Sequence, residues 1–268
     1  MPRPKPVADI NYLTKTEKMT NLPISYYLKN KTERMVDLPA LYYGNNVPAL
    51  ETNGLIYFLD GVGYNKINNN WIDSNNKARN SKATPSVLES NLISPISLEK
   101  SFQFIQGTTS LLQADDLSSD LFNDTQRVFT LSVYFKINTF ISNTRILNIS
   151  RTNVGTSWAL YSGPVNTIRF RRSDATNEFT INLNQKYLAT ISYKDGQFYY
   201  YLNNQLVRSE IASLTPAIPP SAPVYIGGSA ISSSVVSSSN IYSFSAYNRV
   251  LSIQEVSNNY QYLKQRYE

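Results

Sequence analysis

Residues 186–207 read KYLATISYKDGQFYYYLNNQLV. Tyr187, Ala189, Ile191 and Tyr193 alternate with more polar partners, Lys194-Asp195-Gly196 follows, and Phe198, Tyr200 and Leu202 resume the alternation. Two period-two runs joined by Asp-Gly predict a β-hairpin, because a tight turn with positive φ matches the twist of its flanking strands. Asn203-Asn204 predicts a second turn, since asparagine tolerates the left-handed region better than other residues with a side chain. Outward from this hairpin the pattern repeats. Phe129, Leu131, Val133, Phe135 and Ile137 keep a strict spacing of two, and Leu55–Leu59 is a short apolar run ended by Asp60-Gly61. Ser101–Gln106, Arg145–Ile149, Ser157–Tyr161, Thr167–Phe170, Glu178–Leu183 and PVYIGGS (223–229) supply further short strands. Only the tail changes period: Ile253, Val256, Tyr260 and Leu263 fall at helical spacing, and Ser252 with Glu255 forms a capping box. The expectation is an all-β antiparallel sandwich of two sheets with a short C-terminal helix.

Composition removes several chemistries. The 268 residues include no cysteine and no histidine. Thiolate nucleophiles, disulfides, imidazole bases and His- or Cys-ligated metals are therefore excluded. The charge of +6 is scattered, and its densest cluster is Arg169, Arg171 and Arg172 around Phe170, a solvated strand face or a patch for an anion. No nucleotide-binding glycine motif is present, and no nucleic-acid partner is expected. No apolar run long enough to span a bilayer occurs, and no signal-like segment follows the first residues, so no membrane or secretory role is expected.

Residues 1–53 differ from the remainder, 54–268, which is expected to be the sandwich domain. Pro2, Pro4, Pro6, Pro23, Pro39 and Pro48 fall in this first part, which predicts extended, loop-like backbone. Tyr12, Ile24, Tyr26, Tyr27, Tyr42 and Tyr43 give it more apolar surface than a solvated linker needs. The segment is expected to be an arm whose aromatic and aliphatic side chains anchor it to another subunit.

The landmarks GLIYFLDG (54–61), Trp71-Ile72-Asp73, SFQFIQG (101–107), FTLSVYFKI (129–137), the hairpin at 187–207, VYIGG (224–228) and NIYSFSAYNRVLSIQEV (240–256) occur in a recognisable order. In this the chain resembles the concanavalin A-like lectin/glucanase superfamily, in its laminin G-like branch common among phage and other virion proteins. The resemblance covers roughly residues 54–265. It implies a jelly roll of two antiparallel sheets whose concave face often carries the ligand, and it implies less about activity.

A glycanase of that superfamily carries Glu-x-Asp-x-(x)-Glu on one strand face, and no such string exists here. Asp115-Asp116 and Asp120 with Asp124 lie in a polar loop, so the chain is expected not to be an enzyme. Calcium is a candidate ligand for the loops at Asp73-Ser74-Asn75-Asn76 and Asp115-Asp116, but without an ordered D-x-D-x-D-G pattern these read as structural turns, and no cofactor is expected. For sugar stacking, Trp71, Tyr199 and Tyr201 are the candidate glycan-binding residues, while Trp158 reads as core. Tyr199 and Tyr201 share a sheet face and serve equally as a contact surface for another subunit.

The function expected from the sequence is a non-enzymatic virion structural protein, localised to the virion. It would be a capsid-decoration or tail-fibre-type component within a homo-oligomer or larger assembly, with other virion proteins as partners. A carbohydrate-binding adhesin for host glycans is the alternative.

Overall fold

The structure is a computed structural model. It describes residues 48–65, 70–73, 80–83, 101–104, 112–114, 117, 121, 128–150, 156–172, 176–211, 224–228 and 238–268. The chain divides into two units, Met1–Ala49 and Leu50–Glu268. The expected anchoring residues Tyr12, Ile24, Tyr26, Tyr27, Tyr42 and Tyr43 lie outside the described residues.

Fifteen strands are described: β1 (Leu55–Asn65), β2 (Asn70–Asp73), β3 (Asn80–Ala83), β4 (Phe102–Phe104), β5 (Leu112–Ala114), β6 (Phe129–Thr139), β7 (Thr144–Ser150), β8 (Thr156–Ser162), β9 (Thr167–Arg172), β10 (Thr176–Thr180), β11 (Lys186–Lys194), β12 (Gln197–Leu202), β13 (Gln205–Ile211), β14 (Val224–Ile226) and β15 (Ser238–Tyr247). One helix, α1 (Ile253–Tyr267), ends the chain. Every described strand pair is antiparallel, in the path β10-β9-β8-β7-β14-β5-β3-β2-β1-β15-β6-β11-β12-β13, with β4 beside β15.

The path doubles over as a sandwich. Strand β1 makes the turn: Leu55–Asp60 pairs with β15, whereas Leu59, Tyr64 and Asn65 pair with β2, with a register shift between Leu59 and Tyr64. Gly61 and Gly63 sit in that shifted stretch, where glycine admits the local bend. The first layer is then β4, β15, β6, β11, β12 and β13 with the start of β1. The second runs from the end of β1 through β2, β3, β5, β14, β7, β8 and β9 to β10. Between them, Phe170 of β9 meets Tyr200 of β12 with ring centroids 5.0 Å apart. The expected all-β sandwich with one C-terminal helix is thus the observed architecture.

The hairpin that decides the fold forms as expected. β11 pairs with β12 from Ala189↔Leu202 to Lys194↔Gln197, and both Asp195 and Gly196 have positive φ, as does Asn203. β6 carries the clearest alternation, yet it is buried on both faces. Phe129, Leu131, Val133, Phe135 and Ile137 enter the sandwich core. Thr130, Ser132 and Tyr134 point the other way and are also buried. Hydroxyl pairing explains two of them: Thr130 and Ser192 lie 2.7 Å apart, and Ser132 and Thr190 2.8 Å apart, while the Tyr134 ring packs against Tyr242 and Tyr267.

Helix α1 covers that row. Ser252 accepts from the Glu255 backbone while the Glu255 carboxylate accepts from the Ser252 backbone, the capping box expected from the sequence. The buried face is Val256, Asn259, Leu263 and Tyr267. Ile253, expected on that face, is 54 % exposed, because in the first turn it lies to one side of the stripe continued by Val256 and Leu263. Asn259 is buried without penalty: its amide donates to the Tyr247 hydroxyl at 2.9 Å and accepts from the Glu51 backbone at 2.7 Å. Leu50 packs on the same cluster, so the residues just before β1 belong with the sandwich.

Arg249 donates to both Glu255 oxygens, at 2.8 and 3.0 Å, and this pair with the helix cap holds the Glu255 carboxyl down to about 2. A carboxyl depressed in the folded state adds stability above its unfolded value and loses it as pH falls through the folded one. Between about pH 4.5 and 2, stability is therefore expected to fall by about 1–2 kcal/mol through Glu255, after discounting for partial exposure. Urea titrations across that range check this: Glu255→Gln should be less stable at neutral pH and flatter in acid. Parallel curves for the two proteins would remove Glu255 as the cause.

Candidate functional site

A sandwich offers two outer faces. The first layer's outer face is closed by α1, whose Val256, Leu263 and Tyr267 cluster with Tyr134, Tyr201 and Tyr242. This decides the fate of two expected stacking residues. Tyr201 is only 5 % exposed, and burial raises its hydroxyl above the usual tyrosine range. Its ring is packing beneath the helix, so the exposure that sugar stacking requires is not found there. Tyr199 is half-buried at the margin of the same cluster. The backbone of Trp71 lies in β2, opposite Tyr64 and Ser81, and its side chain falls outside the described residues. The three expected glycan-binding residues are therefore split between strands of the two layers. Trp158 is buried against Phe170, in the core role expected of it.

The second layer's outer face carries a different set. Inward-facing Leu147, Ile149, Trp158 and Leu160 fill the core, so the alternation of β7 and β8 sends Asn148, Ala159 and Tyr161 outward. Register then lines up two rows across the strands. One is Tyr225–Asn148–Ala159–Arg171, and the other is Arg145–Tyr161–Arg169–Glu178. In the second row the Arg145 guanidinium lies 5.6 Å from the Tyr161 ring centroid, and its Nε donates to the Tyr161 hydroxyl at 3.4 Å. Arg169 donates to Glu178, and both keep partial contact with solvent. The row is thus open at its charged end and carries more cation than anion.

Tyr225, Asn148 and Ala159 of the first row are buried. Tyr225 is pushed above its usual range by burial, and Asn148 is wholly inaccessible. Neither Nδ2 nor Oδ1 of Asn148 has a hydrogen-bond partner among the described residues. Buried amides are nearly always paired, and each unmade bond costs about 1–3 kcal/mol. Sequence reasoning passed over Asn148 and Arg145. The available signal was an asparagine set in the apolar run Ile146-Leu147-Asn148-Ile149.

For metals, no cluster of three or more acidic side chains is found among the described residues. Of the calcium candidates, Asp73 ends β2, whereas Ser74, Asn75, Asn76, Asp115 and Asp116 lie outside the described residues. Asp120 and Asp124 lie outside them as well.

Comparison with known proteins agrees with the fold. The sequence profile of the concanavalin A-like lectin/glucanases superfamily matches residues 106–257. No curated protein matches the sequence. Among solved structures, Trypanosoma rangeli sialidase in complex with sialic acid is similar over 81 % of this chain and 34 % of its own, at 16 % identity and a TM-score of 0.60. A mutant of that sialidase displaying trans-sialidase activity is similar over the same shares at a TM-score of 0.61. A structure describing botulinum neurotoxin type C, whose cell entry depends on interaction with two ganglioside molecules, is similar over 78 % of this chain and 51 % of its own, at 15 % identity and a TM-score of 0.57. This chain spans about a third of the sialidases and half of the toxin chain.

The sialidases correct one expectation. The chain was expected not to be an enzyme because it lacks an imidazole and a paired-carboxylate strand motif, but this fold occurs within proteins that are enzymes. Lack of the glucanase string does not exclude activity on such a scaffold. At this identity the likeness is one of fold and assigns no reaction.

Proposed function

We propose, from the premise that this chain belongs to the concanavalin A-like lectin/glucanases superfamily, that its sandwich binds carbohydrate on the outer face of the second layer. The observation that carries this reading is the Arg145–Tyr161–Arg169 row, open to solvent at its charged end, beside which the buried Asn148 amide has no partner among the described residues. Neighbouring sugar hydroxyls each donate and accept, so one amide with a donor and an acceptor to fill is matched by one edge of a sugar ring. Arg145 and Arg169 favour an acidic sugar, since guanidinium recognises carboxylate through two parallel hydrogen bonds. The sialic acid held by the similar T. rangeli sialidase, and the gangliosides on which botulinum neurotoxin type C depends, support the same ligand class.

A glycan array comparing neutral with sialylated glycans tests this. Selective binding to acidic glycans is expected, weakened about tenfold or more by Arg145→Gln and by Asn148→Leu. Asn148→Leu has a second signature. Removing a buried amide that has no partner among the described residues is expected to leave the fold unchanged or more stable by about 1 kcal/mol. Binding lost with stability kept places the amide at the ligand. Binding retained in both variants, or no glycan bound at all, overturns the reading.

For setting, we propose a virion, with the segment before the sandwich joined to other virion proteins. Its support is the Pro-rich, apolar character of residues 1–53 and the laminin G-like resemblance. Deleting residues 1–49, which keeps Leu50 on the sandwich, is expected to leave a folded, glycan-binding protein that no longer enters particles. Normal incorporation of the truncated protein would sink the idea.

A further inference from the structure

Strand β13 ends the hydrogen-bonded path and pairs with β12 alone among the described residues. It is exposed along nearly its whole length, and Leu206, Val207 and Ile211 are 44 %, 37 % and 88 % exposed. Native edge strands are blunted by lysine, proline, shortness, bulges or inward-pointing charge, because unpaired backbone groups template further pairing. β13 has a bulge at its start and the charged pair Arg208 and Glu210 on its inner face, and those two charges also decide the register of any further pairing. The seven residues QLVRSEI contain no lysine and no proline. Their one irregularity, opposite Tyr200 and Tyr201, leaves Arg208 to Ile211 in regular register with Tyr200 to Gln197.

We propose that β13 pairs with β13 of a second copy of this chain, antiparallel about a two-fold axis through Ser209, making one continuous sheet from the two first layers. The register follows from symmetry and charge. A two-fold axis normal to a sheet keeps every side chain on its own face, so it must pass through a residue rather than between two. Centring on Arg208 or on Glu210 sets like charges directly opposite, which destabilises the pair. Centring on Val207 leaves Glu210 and Ile211 outside the paired stretch. Centring on Ser209 sets Arg208 opposite Glu210 of the second copy, twice. Glu210 is held ready for this: it accepts from the Tyr200 hydroxyl at 2.7 Å and from Asn177 at 3.1 Å. Arg208 lies 3.4 Å from it within the chain and keeps a half-exposed side chain. The dimer presents two glycan faces, but its existence does not depend on glycan binding.

Because the chain contains no cysteine, single cysteines report the register without interference. Opposed residues in an antiparallel pair have Cα atoms about 4.5–5.5 Å apart, within disulfide reach. Ser209→Cys is expected to form a disulfide-linked dimer on mild oxidation of the full-length protein. Ile211→Cys, set away from its own copy in this register, is expected to cross-link far more slowly. By analytical ultracentrifugation over roughly a hundredfold concentration range, the wild type is expected to pass from monomer to dimer. Arg208→Glu, at an exposed position, should weaken that association about tenfold or more. A wild type monomeric throughout, a dimer indifferent to Arg208→Glu, or cross-linking no faster at 209 than at 211 each overturns the proposal.

Discussion

Gly227→Ala is expected to cost about 3–5 kcal/mol. Two independent penalties meet at this residue. Its φ is +83°, which an alanine adopts at a cost of about 1–2 kcal/mol. In addition, a Cβ on Gly227 would overlap the ring of Phe104. That ring cannot step aside, since Phe104 is 1 % exposed and its strand β4 is fixed to β15 through Ser239↔Phe104. Nor can the backbone move freely, because the Gly227 amide donates to the Ile146 carbonyl at 2.8 Å. Gly227 belongs to the second layer and Phe104 to the first, so the contact sets how closely the layers approach. Urea denaturation measures the cost, and a double-mutant cycle with Phe104→Leu identifies its source. If the ring overlap is real, the two substitutions together should cost at least about 1 kcal/mol less than their sum. Strict additivity would leave only the φ strain.

That glycine illustrates which parts of this fold the sequence discloses. The 186–207 hairpin was legible because its information is local: the period of two, Asp195-Gly196 and Asn203 each state their own conformation. The capping box at Ser252 and Glu255 was legible for the same reason. What lies over a strand is not local information. Tyr199 and Tyr201 alternate with Phe198 and Tyr200 as an exposed face would, yet α1, some sixty residues later, returns to cover Tyr201. A tyrosine tolerates both fates, since its ring packs and its hydroxyl accepts water or a partner. Asn148 was missed for the complementary reason. One asparagine within Ile146–Ile149 reads as a defect of the strand, and only register across β14, β7 and β8 shows it in line with Tyr225 and next to the arginine row. The composition argument against enzymes failed differently, because absent residue types exclude particular mechanisms and not catalysis as a whole.

Asp60→Ala is expected to cost about 3 kcal/mol and to loosen the last turn of α1. Asp60 ends the part of β1 that pairs with β15, is 4 % exposed, and faces the helix terminus. Its carboxylate accepts from the Arg266 guanidinium and from the Tyr267 hydroxyl. The Tyr267 hydroxyl also lies 2.9 Å from the Tyr242 carbonyl, but it has one proton, and the charged acceptor takes it. Proximity to Asp60 raises the Arg266 guanidinium above its ordinary range against the opposing effect of burial, so the cation depends on this partner to remain in place. Breaking such a pair from one side costs more than the pair contributes, because the remaining charge is left without compensation; about 3–5 kcal/mol is usual when both groups are buried. The Arg266 side chain is 21 % exposed, which sets the expectation at the lower end. Asp60→Asn keeps an acceptor for Tyr267 and should cost only about 1–2 kcal/mol. The decisive comparison adds Arg266→Met to Asp60→Ala. If the penalty is a stranded cation, the double variant should be more stable than Asp60→Ala alone, with hydrogen-exchange protection restored near Leu263. A double variant that loses the sum of both single costs would show that Asp60 acts through the shape of the sheet instead.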